Sequence, residues 1–140
     1  MPTTLFTLSV MSESNNVNPV SAAEGELIQR AYAAFNHRDI EAALATMHPD
    51  VDWPNGMEGG RVVGHPAIRA YWTRQWSQFS PHVEPLHLTT NEAGQVVVEV
   101  HQVIRDLAEK VIAEATIQHL YRLEAGLICR MDIRTAGSEE

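Results

Sequence analysis

At 140 residues the chain is the size of one domain and is long enough to bury a core. Its 18 acidic and 10 basic residues leave a net charge of −8, with no basic stripe to hold nucleic acid. No apolar run approaches the roughly 18 residues of a membrane span. The single cysteine, Cys129, cannot form an internal disulfide, which suits a reducing, cytoplasmic setting.

In chain order, "LFTLSV" lacks the basic flank and small-residue cleavage site of a signal peptide. "MSESNNVNPVS" is polar and without periodicity, so residues 1–20 read as a disordered lead, with Met11 an alternative start. The domain is expected over 21–136, with 137–140 a disordered tail. Ser21 and Glu24 have capping-box spacing, and Ile28, Ala31, Tyr32 and Phe35 then share one helical face. Asp39 caps a second, short helix carrying Ile40, Ala43, Leu44 and Met47, which Pro49 ends. Val51 to Trp53 reads as a short strand and "NGMEGGRVVG" as a loop. Pro66 opens a third helix whose stripe is Ile68, Tyr71, Trp72, Gln75, Trp76 and Phe79, closed by Pro81. The second half holds four β-branched-rich segments, "VEPLHLTT", "QVVVEVHQVIRD", "KVIAEATIQHLYRL" and "LICRMDIR", divided by turn signals. Three helices followed by an antiparallel meander predict an α+β domain, a cone of helices packed on a curved sheet.

The segments "AYAAFNHRDIEAALATMHPDVDW", "GHPAIRAYW" and "QHLYRLEAGLICRMDIR" make the chain resemble the NTF2-like superfamily, its SnoaL-like branch in particular. The resemblance spans about residues 22–135. It implies a cone with a ligand pocket, on a scaffold that hosts isomerases, cyclases, dehydratases, epoxide hydrolases and non-catalytic binding modules. The general-base Asp that the ketosteroid isomerases of this superfamily place before a proline is replaced by Trp53. Their helix 1 Tyr is replaced by Ala31, with Tyr32 one step on, and their late-strand Asp by Gln118. Steroid isomerisation is therefore not expected.

Alternation along "VDWPNG" puts Val51 and Trp53 on one face and Asp52 on the other. The apolar pair is expected inward, which makes the stretch a wall and not a catalytic base. Tight hairpins would pair Glu99 with Gln118, His101 with Thr116, Gln118 with Asp132 and Leu120 with Arg130. Glu99, His101, Glu114, Thr116, Gln118, Arg130 and Asp132 then share one face. Val96, Val98, Val100, Ala113, Ala115, Ile117, Tyr121, Cys129 and Met131 share the other. Two arrangements fit. Either the polar face lines the pocket and the apolar face pairs with a second copy, or the apolar face packs on the helices and the polar face meets water. The resemblance, which implies that Gln118 faces the cavity, selects the first.

The expected site has His101 and Asp132 as proton carriers, with Glu99 as a further polar member and Gln118 orienting a ligand oxygen. Tyr32, Trp53 and Trp72 form the apolar wall. The remaining histidines, His119 among them, receive no role. No spacing of metal-ligand type occurs, so neither a metal nor a cofactor is expected. The expected function is binding a small, largely apolar molecule, with cofactor-independent acid–base turnover of isomerase, cyclase or dehydratase type. The alternative is a non-catalytic ligand-binding or protein-interaction module. A homodimer without nucleic-acid or membrane partners is expected.

Overall fold

The computed structural model describes residues 19–135. The expected disordered tail, and all of the expected lead but Pro19 and Val20, lie outside them, as does Met11. Val20, placed in the lead by sequence, packs against the core.

Helix α1 (Ala22–Asn36) starts where Ser21 accepts a hydrogen bond from Glu24 N at 3.2 Å. Helix α2 (Ile40–Leu44) starts where Asp39 accepts from Ala42 N at 3.1 Å. It ends at Leu44, before Met47, and the Thr46 hydroxyl donates to Ala43 O at 2.6 Å, pairing one of its last carbonyls. Met47 instead begins strand β1 (Met47–Pro54), longer than the three residues expected. The loop after it contains a further short strand, β2 (Arg61–Val63). Helix α3 (His65–Trp76) ends before Phe79 and Pro81, which open strand β3 (Phe79–Thr90). Prolines are tolerated there because β3 is an edge strand with one hydrogen-bonding neighbour. The meander continues as β4 (Val96–Asp106), β5 (Val111–Glu124) and β6 (Leu127–Thr135).

The described residues thus form three helices and one six-stranded sheet of order β2-β1-β6-β5-β4-β3. One expectation needs correction. The third helix follows a strand, in the chain order expected, with β2 added before it. The sheet is not purely antiparallel, because β1 joins β6 in parallel.

Glu99 faces Gln118 and His101 faces Thr116 across β4 and β5, the register expected from sequence. The last hairpin differs from expectation. Ala125 and Gly126 both take positive φ, 52° and 79°, so the turn has two residues and not three. A bulge between Arg122 and Leu123 restores the phase. Gln118 therefore meets Arg134, and Leu120 meets Asp132. The pairing slides by two residues, so the division of faces survives.

The helices cover the apolar face. Val96, Val98, Val100, Ile117, Tyr121 and Met131 are buried in one core with Ile28, Tyr32, Ile68 and Trp72. Most of the row expected to be bare and to pair with a second copy is thus inside, while Ala113 and Ala115 at its far end are exposed. Burying it removes apolar area from water at about 25 cal/mol per Å². Turning the Glu and His side chains inward would have required desolvating them.

Candidate functional site

Between the helices and the inner face of the sheet lies a cavity of about 540 Å³. Its aromatic wall is Phe35 from α1, Trp53 from β1, Trp72 from α3 and Phe79 from β3. Trp53 meets Trp72 edge-on at 5.7 Å between ring centroids and Tyr121 at 6.4 Å. Ile112 and Ile133 line it while still reaching solvent, which marks its mouth. No Asp, Glu, Lys or Arg is among the lining residues.

Three of the titratable groups that line it meet in a short chain. His119 and Tyr121 are two apart on β5, so both point inward beside Ile117. Tyr32 reaches them from α1. Tyr121 donates to the Tyr32 oxygen at 2.9 Å, and the Tyr32 hydroxyl lies 2.7 Å from His119 Nδ1. With its oxygen accepting from Tyr121, Tyr32 pairs its own proton only by donating to Nδ1, and that arrangement puts the imidazole proton on Nε2. The Tyr32 and His119 rings stack at 9°, and Tyr121 stands edge-on to both.

Burial sets the charge states. His119 is 6% exposed, and loss of hydration pushes its pKa down to about 4. Burial also raises both phenols, with the neighbouring Tyr121 adding to the rise at Tyr32. All three groups are neutral at pH 7. Neither phenol gives up a proton readily, so the chain of bonds fixes the tautomer of His119 and does not feed it protons.

The loop after β1 closes one side. Asn55 and Glu58 bond reciprocally, Glu58 N to Asn55 Oδ1 at 2.7 Å and Asn55 Nδ2 to Glu58 Oε1 at 3.0 Å. Arg74 grips the Glu58 carboxylate with two bonds, at 2.9 and 2.8 Å. These contacts hold Met57 against the cavity. Arg74, and then Asn55, pull the Glu58 carboxyl down to about 2.

The structure brings together only part of the expected site. Tyr32, Trp53 and Trp72 line the cavity. Glu99, His101, Gln118 and Asp132 do not; they lie together on the outer face of the sheet. His101 Nε2 pairs with Glu114 at 2.7 Å, and Gln118 accepts from Arg134 at 2.8 Å. Asp132 and Asp52 share Arg61 and Arg130 in a four-residue network that ties β6, β1 and β2 together. The hydrogen bond from Arg130 is the main cause holding the Asp132 carboxyl below its ordinary range. The expectation that the polar face forms the pocket is therefore corrected, and the physical reason is the burial preference given above. Because Asp132 is outside the cavity, Asp132→Asn is expected to alter stability by no more than about 1 kcal/mol in a urea titration. It should leave ligand affinity unchanged within about twofold; a larger loss would put the site on the wrong face.

His119 was missed. Its signal in the sequence is a lone imidazole between Ile117 and Tyr121, on the face that is otherwise apolar. Among the described residues no group of three or more His, Cys, Asp and Glu could hold a metal ion.

A family model for the SnoaL-like domain matches residues 28–131. Among solved structures, TerC co-crystallised with polyporic acid is 28% identical over 81% of this chain and 92% of that one, with a TM-score of 0.71. An NTF2-like protein of unknown function from Burkholderia pseudomallei K96243 is 22% identical over 82% and 92%, also at 0.71. A Mycobacterium tuberculosis protein in complex with estradiol-17beta-hemisuccinate is 18% identical over 79% and 92%, at 0.67, and shows the fold alone. No curated protein matches the chain.

Proposed function

The chain belongs to the SnoaL-like domain family, and we propose that it binds a small, uncharged, largely apolar aromatic molecule through a carbonyl oxygen at His119. The observation that carries this reading is the cavity itself: aromatic walls, no charged lining residue, and a neutral imidazole whose Nε2 proton has no acceptor among the described residues. Apolar walls with few polar groups suit such a ligand. A neutral N–H donor polarises a carbonyl without bringing a charge into the site. The relative crystallised with polyporic acid supports a small ring-based ligand; that molecule is an acid, so the choice of an uncharged ligand rests on the cavity's own lining.

Turnover, where it occurs, is cofactor-independent enolisation of the isomerase or cyclase type. Nε2–H of His119 stabilises the developing enolate oxygen. Both His119 nitrogens are engaged, Nδ1 by the Tyr32 hydroxyl and Nε2 by its own proton, so the carbon-bound proton leaves to water and the carbon acid must already be activated, as between two carbonyls. The absence of any carboxylate from the lining favours a second reading, binding without chemistry.

Two measurements separate these readings. In a titration followed by the fluorescence of Trp53 and Trp72, aromatic ketones should bind more than about tenfold tighter than carboxylated analogues, because a carboxylate would be buried without a partner. Equal or tighter binding of the carboxylates would refute the proposed site. Deuterium exchange at the central carbon of an aryl 1,3-diketone, followed by NMR, should run faster with the protein than with buffer alone. That acceleration should disappear in His119→Gln. No acceleration leaves the binding reading alone standing.

A further inference from the structure

The same cavity carries a second polar cluster, on α3. Tyr71 and Gln75 are four residues apart on that helix, so their side chains meet, and both line the cavity. Ring contacts run from Tyr121 through Trp53 to Trp72, the residue next to Tyr71, so the two polar clusters share one aromatic wall. The Tyr71 oxygen accepts two hydrogen bonds, from Met57 N at 3.3 Å and from Gln75 Nε2 at 3.3 Å. Both are accepted, so its own O–H proton has no acceptor among the described residues. Gln75 Oε1 is buried and has no donor among them. One unpaired donor and one unpaired acceptor therefore stand on neighbouring cavity-lining residues, with Oε1 itself covered, so a ligand hydroxyl reaches it through a small turn of the Gln75 amide. Buried polar groups are ordinarily paired, and an unpaired one costs the fold its hydration.

Interchanging the oxygen and nitrogen of the amide does not remove the mismatch. Tyr71 would then donate to the amide oxygen, and the amide nitrogen would keep an unpaired N–H. A partner that both donates and accepts satisfies either orientation. A hydroxyl is the smallest such group. A carbonyl satisfies only one orientation, and a carboxylate would bring a charge to a lining that holds no cation.

We propose that Tyr71 and Gln75 form a specificity-determining subsite for a ligand hydroxyl, so that the substrate class is an aromatic carbonyl compound with a hydroxyl remote from its carbonyl. The inference rests on the reading that the cavity binds an uncharged aromatic carbonyl compound. Gln75 and Tyr71 act by selecting the ligand and by setting its direction along the wall, with the carbonyl toward His119.

The test uses benzophenone, chalcone and flavone, each with and without a para-hydroxyl, titrated into the wild type, Gln75→Met and Tyr71→Phe. Three scaffold lengths cover the span between the two clusters. In the wild type the hydroxyl should tighten binding about tenfold for at least one scaffold. In Gln75→Met that ratio should fall to about one or below, because the methionine side chain cannot pair the hydroxyl. Tyr71→Phe should lower it in the same direction. Circular dichroism of each variant checks the fold, and Gln75→Leu replaces any variant that does not fold. Parents that bind with no gain from the hydroxyl would overturn the subsite alone; a water trapped between Tyr71 and Gln75 would produce that result. A ratio that survives in the Gln75 variants would overturn it too. If neither parents nor hydroxylated compounds bind, the cavity reading falls, and the subsite with it.

Discussion

Replacing Trp72 with alanine is expected to lower the unfolding free energy by about 3–5 kcal/mol, read from the urea midpoint. Trp72 is 2% exposed and sits where three aromatic contacts meet: Phe35 at 5.3 Å, Trp53 at 5.7 Å and Trp76 at 5.7 Å between centroids. Truncation removes the transfer free energy of the indole and leaves a void that Phe35 and Trp53 cannot fill without leaving their rotamers. A domain is typically stable by about 5–15 kcal/mol, so this one change consumes a large part of the total. Trp72→Phe keeps a ring in the cluster and should lose less than half as much. The site would suffer as well, since the same indole lines the cavity. A loss below about 1 kcal/mol for Trp72→Ala would mean that the aromatic cluster contributes little to the fold.

The second large effect is a dependence of stability on acid that traces to one histidine. His119 has a pKa of about 4 in the fold, against an ordinary value of 6.5. Between those two pH values the unfolded chain holds a proton at this position that the folded chain does not. Stability is therefore full above pH 6.5, falls as the pH is lowered toward 4, and levels off below that as the folded imidazole also protonates. The loss from this residue amounts to about 3 kcal/mol. The titratable groups bonded in series with His119 are Tyr32 and Tyr121, and both stay neutral across the window because burial raises them. His119→Gln removes the titration, so the gap between wild-type and variant stabilities should change by about 3 kcal/mol between pH 7 and pH 4. Urea unfolding at pH 7, 6, 5 and 4 measures it. A gap that stays constant across the series would mean that His119 titrates normally and is not enclosed as described.

Much of the fold was legible because its signals are local. Ser21 and Asp39 cap the helices that their spacing implied, and Glu99 faces Gln118 as the alternating pattern required. The errors were also local in origin. Pro81 reads as a helix stop in isolation, yet it is a strand residue because β3 happens to be the sheet edge. The turn after Glu124 has two residues because Ala125 joins Gly126 at positive φ, a conformation that alanine seldom adopts and that composition does not announce.

By itself the sequence determined that β4, β5 and β6 carry one apolar and one polar face, since alternation is a property of the backbone. It could not determine which face is enclosed, because alternation is symmetric and the answer depends on what packs against the sheet. Only the tertiary structure brings α1 and α3 onto the apolar side, where their own buried stripes meet it. That choice moves Glu99, His101, Gln118 and Asp132 to the outside and puts their neighbour His119 within 2.7 Å of Tyr32, 87 positions away in sequence. The site depends on that distant contact: the imidazole becomes a neutral, oriented donor only when the helix bearing Tyr32 excludes water from it.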